Sequence, residues 1–71
     1  MTQKQKLMMH QLAQMTLFRY MRHPEKLGDI HFQDAEWATA FVDEITQLIK
    51  EKDLPKGTID VLSKLVRVVD T

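Results

Sequence analysis

Three histidines have the widest chemical repertoire in this sequence, because imidazole binds metals and transfers protons near neutral pH. His10, His23 and His31 are never three or four residues apart, and the sequence contains no cysteine. A zinc site needs several convergent ligands, so the spacing predicts no metal site and no cofactor. His23 and His31 flank one connector and could approach each other in space. We otherwise predict that the histidines face solvent or lie in loops.

The neighbouring carboxylates Asp43 and Glu44 are the candidates for general acid–base chemistry, which uses paired carboxylates in a buried cleft. They fall on the polar side of an amphipathic segment, where solvent reaches them. Ser63 is the only serine, and no histidine follows it. Gly28 and Gly57 stand alone, so no glycine-rich loop could hold a phosphate. The sequence therefore predicts a protein that is not an enzyme.

The segment from 33 to 53 is predicted to be the central helix against which the other elements pack. Its apolar residues recur with the 3.6-residue period of an amphipathic helix. Seven of them share one arc of the helical wheel: Trp37, Ala38, Phe41, Val42, Ile45, Leu48 and Ile49. We predict a core around Trp37, Phe41, Ile45 and Leu48, with the only tryptophan as the largest contributor. Phe32 and Trp37 have the spacing of a hydrophobic staple around Gln33.

A first helix is predicted over 4–22, and its apolar residues form two stripes on nearly opposite sides. The first stripe contains Leu7, Met8, Leu12, Met15 and Phe18. The second stripe contains Met9, Ala13, Leu17, Tyr20 and Met21. In a chain this short, three helices can each bury one stripe and little remains to cover another. We predict that the first stripe closes the core and that the second stripe points outward, where it forms a homodimer or docks a larger protein.

Methionine supports this interpretation of the first helix. Four of the five methionines lie on it: Met8, Met9, Met15 and Met21. Methionine side chains are flexible and polarizable, so methionine-rich helical surfaces adapt to partner grooves. For Met8 and Met15 we favour gap filling in the core, and for Met9 and Met21 we favour an interface.

Proline and glycine separate the predicted helices. His23 precedes Pro24, which ends the first helix because a residue before proline leaves the α region. Gly28 and the segment 29–32 then lead into the central helix. A third helix is predicted over 58–70, with Thr58 as its N-cap. Its valines also suit a strand, but the amphipathic pattern after a capping threonine favours helix.

The run Leu54-Pro-Lys-Gly-Thr-Ile59, followed by Leu62 and Leu65, carries a resemblance to known proteins. It resembles the turn and the start of the recognition helix in sigma-factor-type helix-turn-helix domains. The sequence departs from that pattern at Lys52 and Asp53, where a buried aliphatic residue and a glycine are expected. The resemblance implies DNA contacts through three exposed residues of the third helix: Ser63, Lys64 and Arg67. The corresponding hypothesis is a dimeric DNA-binding regulator that uses either this helix or the basic residues of the first helix, Lys4, Lys6, Arg19 and Arg22.

Composition bounds the remaining possibilities. The chain has 71 residues, with 10 Lys and Arg against 10 Asp and Glu, and a balanced charge lowers the expectation of nucleic-acid binding. The first apolar run is interrupted by polar residues, so we predict no membrane segment and a cytoplasmic location. We expect an all-α domain over 1–71, a small three-helix bundle that can dimerise through its first helix. Its predicted function is protein–protein interaction, with DNA binding as the alternative.

Overall fold

A computed structural model describes residues 1–69 as three α-helices, a short 3-10 turn and two β-strands. In chain order the elements are α1 Gln3–Arg22, the 3-10 turn Pro24–Lys26, β1 Ile30–Phe32, α2 Ala35–Glu51, α3 Gly57–Leu65 and β2 Val66–Val68. The predicted small helical fold with three helices is confirmed. The two strands are an addition that the all-α prediction did not contain.

Helix α1 begins with a capping box at Thr2 and Gln5. The Thr2 hydroxyl accepts a hydrogen bond from the Gln5 backbone N–H at 3.1 Å, and the Gln5 side chain accepts one from the Thr2 N–H at 2.9 Å. Two backbone donors that the first turn leaves unpaired are thereby satisfied. The helix ends before Pro24, as the sequence predicts.

Helix α2 is bounded by two aspartates, one that caps its start with a side chain and one that ends it through its backbone conformation. Asp34 accepts a hydrogen bond from the Trp37 backbone N–H at 2.9 Å and is the N-cap. It lies one position after Gln33, where the predicted central helix begins. At the other end Asp53 has φ 54°, in the left-handed region. The Leu54 N–H then bonds the Ile49 carbonyl and the Asp53 N–H bonds the Lys50 carbonyl, which is a Schellman motif. Asp53 thus takes the conformation that glycine adopts most easily.

The third helix is shorter than predicted, and its last residues form a strand. Helix α3 begins at Gly57 without a side-chain cap, so Thr58 lies inside its first turn. It ends at Leu65, and Val66–Val68 pairs with β1 in parallel, Ile30 opposite Val66. β-branched valines suit extended backbone, and pairing with β1 stabilises that conformation here. Position 70 of the predicted helix lies outside the described residues.

One apolar core joins the three helices to the sheet. Its buried residues are Met9, Ala13, Leu17, Phe32, Ala38, Phe41, Ile45, Leu48, Ile49 and Leu62. The rings of Phe32 and Phe41 are 5.1 Å apart at a tilt of 46°, a favourable aromatic geometry. Phe41, Ile45 and Leu48 are core residues as predicted. Trp37 is only half-buried at the edge of the core, so Phe41 is the largest fully buried side chain.

The predicted orientation of α1 is wrong, because the two stripes are reversed. Met9, Ala13 and Leu17 of the second stripe are 2%, 0% and 1% exposed, whereas the whole first stripe is exposed. The physical reason lies in side-chain size. Ala13 has almost no side chain, so α1 can approach α2 closely along this line. Thr16 joins the buried face at little cost, because its hydroxyl donates to the Leu12 carbonyl at 2.8 Å.

Candidate protein-binding surface

The side of α1 that faces away from the core carries six large apolar side chains. We call it the outer face, and its apolar members are Leu7, Met8, Leu12, Met15, Phe18 and Met21. Each is between 38% and 62% exposed. Single exposed apolar residues are normal on protein surfaces, but six on one side of a single helix form a concentrated apolar surface. Gln11 and Gln14 are exposed among these side chains, and large exposed apolar areas mark interaction sites.

The opposite side of α1 holds the outer face in place. Met9, Ala13 and Leu17 are buried in the core, and Tyr20 packs against it. A polar contact adds to this packing: His10 Nδ1 lies 3.0 Å from Glu44 Oε1, which joins α1 to α2 across 34 residues of sequence. The rotation of α1 about its own axis is therefore fixed, and so is the direction in which the outer face points.

The charge of α1 is of one sign. Between Gln3 and Arg22 there are four basic residues, Lys4, Lys6, Arg19 and Arg22, and no acidic residue. The Arg22 guanidinium carbon lies 5.1 Å from the centre of the Phe18 ring, within reach of a cation–π interaction. Arg22 is therefore held beside the apolar surface. The outer face combines exposed apolar side chains with positive charge.

Two open grooves run along the sides of the outer face. One, of about 340 Å³, lies between α1 and the end of α2 and is lined by Gln14, Leu17, Phe18, Met21 and Lys52. The other, of about 270 Å³, lies between α1 and the connector before β1. Its lining includes Leu12, Met15, Arg19 and Lys26. Both grooves combine apolar walls with basic residues, and the second also contains the carboxylate of Asp29.

The residues predicted to bind a partner are mostly not on this surface. Met9, Ala13 and Leu17 are core residues, and Tyr20 is half-buried against the core. Met21 is 58% exposed and belongs to the outer face. The sequence separates the two stripes of α1 except at Met21, but it does not show which stripe faces the core. The small residue Ala13 was the available signal, since close helix packing favours small side chains.

The residues that the helix-turn-helix resemblance implies do not share a helix face. Ser63 is partly buried and lines a pocket of about 260 Å³ beside Ala38 and Val42. Lys64 is exposed near the end of α3, but Arg67 lies on β2. The Arg67 guanidinium donates to the carbonyls of Lys64 and Val66 and so is used within the chain.

The candidate catalytic and metal-binding side chains are dispersed. His23 lies 3.7 Å from Glu25 and both are exposed, while His31 lies on β1 opposite Arg67. Asp43 is exposed, and Glu44 contacts His10. Among residues 1–69 no group of three or more His, Cys, Asp and Glu side chains could hold a metal ion. None of the helices in that range combines the length and apolar composition needed to cross a membrane.

Comparison of the chain with family models, with curated proteins and with solved structures finds no match. The function of the outer face is therefore inferred from its residues and geometry alone.

Proposed function

We propose that this protein is a non-enzymatic interaction module that binds another protein through the outer face of α1. The observation that carries the proposal is the exposure of six large apolar side chains along one side of a helix whose other side is buried. A helix that carries apolar residues on both sides is expected to be covered on both sides. Within the described chain only one side is covered.

The size of the exposed apolar area supports the proposal. The six side chains, each about half exposed, together present roughly 600 Å² of surface, the upper end of the largest apolar patch on a typical monomer. One partner in a standard interface contributes about 800 Å². The outer face together with its two grooves can supply such an area, and a smaller contact would give a transient complex.

The residue types suit an adaptable interface. Met8, Met15 and Met21 are exposed on the outer face, and their unbranched side chains can change rotamer to fit different partner surfaces. Phe18 adds an aromatic ring, which interfaces favour. A regulatory, adaptor or inhibitor protein uses a surface of this kind, in which the bound protein rather than a bound small molecule is the ligand.

Site-specific photocrosslinking in the cells that produce the chain tests the proposal. A photoreactive amino acid replaces Met15 on the outer face, and a matched variant carries it at Gln47, which is exposed on α2. We expect discrete crosslinked species from position 15 that disappear when Phe18 is also changed to Lys. Equal crosslinking from positions 15 and 47 would refute a specific role for the outer face.

A further inference from the structure

Resting on the proposed function, we infer the chemistry of the partner: an amphipathic helix whose apolar stripe is flanked by Asp and Glu. The inference depends on how the positive charge is distributed along the outer face. Lys4 and Arg22 are 18 residues apart, which is five full turns, so they lie on the same line of α1. At 1.5 Å per residue they are about 27 Å apart. The apolar residues lie between them, and Arg19 is beside Arg22.

This positive charge is local. The chain as a whole has a formal net charge of zero, because the acidic residues lie outside α1. One of them, Glu36, lies 3.7 Å from the ammonium group of Met1, just before α1 begins. Helix α2 carries four of them, Glu36, Asp43, Glu44 and Glu51, against one basic residue. A partner approaching the outer face therefore meets cations at both ends of an apolar surface. A helix of about five turns with carboxylates near both ends is complementary to this arrangement.

A second copy of this chain does not fit as well. If two α1 helices met antiparallel, Lys4 of one copy would approach Arg22 of the other, and a parallel arrangement would bring equal charges together. Helix α2 of a second copy offers carboxylates, but no large apolar residue of α2 is exposed. Neither surface of the described chain provides both the apolar stripe and the negative charge.

An anionic membrane also fits less well than a protein. Gln11 and Gln14 are exposed and lie within the outer face. On the helical wheel Gln11 falls between Phe18 and Met15, and Gln14 falls between Met21 and Leu7. Insertion of this face among acyl chains would bury both amides without hydrogen-bond partners, which is costly. A protein helix can provide such partners between its own apolar residues.

The division of roles between charge and apolar surface follows from their strengths. Exposed ion pairs are weak, so the apolar side chains must supply most of the affinity. The charges select among apolar helices and orient them. Two such pairs correspond to roughly fivefold in affinity, and this advantage decreases as salt screens it.

Selection from a displayed library of random amphipathic helical peptides tests this inference. The apolar stripe is kept, and flanking positions carry Glu and Lys at equal frequency. We expect the wild-type chain to enrich peptides rich in Glu and to bind them roughly fivefold more tightly than matched Lys peptides. The variant R19E/R22E, in which both substitutions are on the surface, should lose the preference for Glu peptides, because one end of the outer face becomes acidic while Lys4 stays at the other.

The possible results separate the inference from the proposed function. If the selected peptides show no preference for Glu but do not bind the Phe18→Lys variant, the acidic partner is refuted and the proposed interaction module is supported. Peptides that are unaffected by Phe18→Lys would refute both. Sedimentation with vesicles of phosphatidylcholine and phosphatidylserine is run in parallel. Binding to vesicles without binding to any peptide would assign the outer face to a membrane and overturn the inference.

Discussion

Adjacent substitutions in α1 give a direct test of which face is buried. Leu17 is 1% exposed and Phe18 is 59% exposed, although they are neighbours and both are large. Leu17→Ala removes buried methyl groups and leaves a cavity, which costs about 2–5 kcal/mol. Phe18→Ala removes a larger side chain from the surface and should change the free energy of unfolding by only about 0.5 kcal/mol, with a similar amount from the contact with Arg22.

These magnitudes are large relative to the stability of so small a protein. At about 0.05–0.15 kcal/mol per residue, 71 residues give a free energy of unfolding of roughly 4–11 kcal/mol. Leu17→Ala therefore removes a substantial fraction of the total. Since about 1 kcal/mol shifts the melting temperature of a domain this size by about 4–8 °C, we expect a decrease of at least about 8 °C for Leu17→Ala and much less for Phe18→Ala.

The assay is urea unfolding followed by circular dichroism and by the fluorescence of Trp37, at a concentration low enough to keep the chain monomeric. The slope of the unfolding free energy against urea should stay constant, so that midpoints can be compared. Equal destabilisation by the two substitutions would refute the orientation of α1. A larger effect of Phe18→Ala would show that the outer face is core.

Four further expectations follow from other features. Asp53→Gly should stabilise the chain by about 0.5–1 kcal/mol in urea unfolding, because φ 54° strains a residue with a Cβ. Glu44→Ala should lower the free energy of unfolding by about 1 kcal/mol through loss of the contact with His10. Light scattering over a concentration series should give a monomer, since two basic outer faces repel each other. In fluorescence anisotropy with duplex DNA, neither Lys64→Ala nor Arg67→Ala should reduce the affinity for DNA.

Each of these has a contrary result. Destabilisation by Asp53→Gly would mean that the aspartate side chain contributes more than its backbone strain costs. An unchanged midpoint for Glu44→Ala would remove the polar link between α1 and α2. A stable dimer would restore the self-association that the sequence predicts. Salt-sensitive duplex binding lost in the Lys64 variant would favour the DNA-binding alternative.

The sequence predicts α2 well because its apolar residues obey one period and leave a continuous polar side. Phe41, Ile45 and Leu48 could therefore be placed in the core from spacing alone. Helix α1 is apolar on two sides, so periodicity identifies the helix and leaves its rotation open. The stripe predicted to close the core is the exposed one. The orientation of α1 depends on Ala13 and Thr16, which are buried against the rest of the chain. Both side chains are small, and the Thr16 hydroxyl donates a hydrogen bond within the helix.

The strands could not be predicted from local pattern. β1 and β2 contain three residues each, too few to show the alternation of a strand. Val66–Val68 continues the apolar pattern of α3, and it becomes extended only because β1 lies beside it. The candidate surface depends on the same kind of information, since exposure is a property of the packed chain.

The parallel pairing of β1 with β2 has a consequence for the order of folding. Ile30 and Val66 are 36 residues apart in sequence, so the pairing closes a long loop that contains all of α2 and α3. Most contacts within the helices are local and carry no such entropic cost. We therefore expect the helices to form before the sheet closes, and the amide hydrogens of Val66–Val68 to exchange with solvent sooner than those of α2.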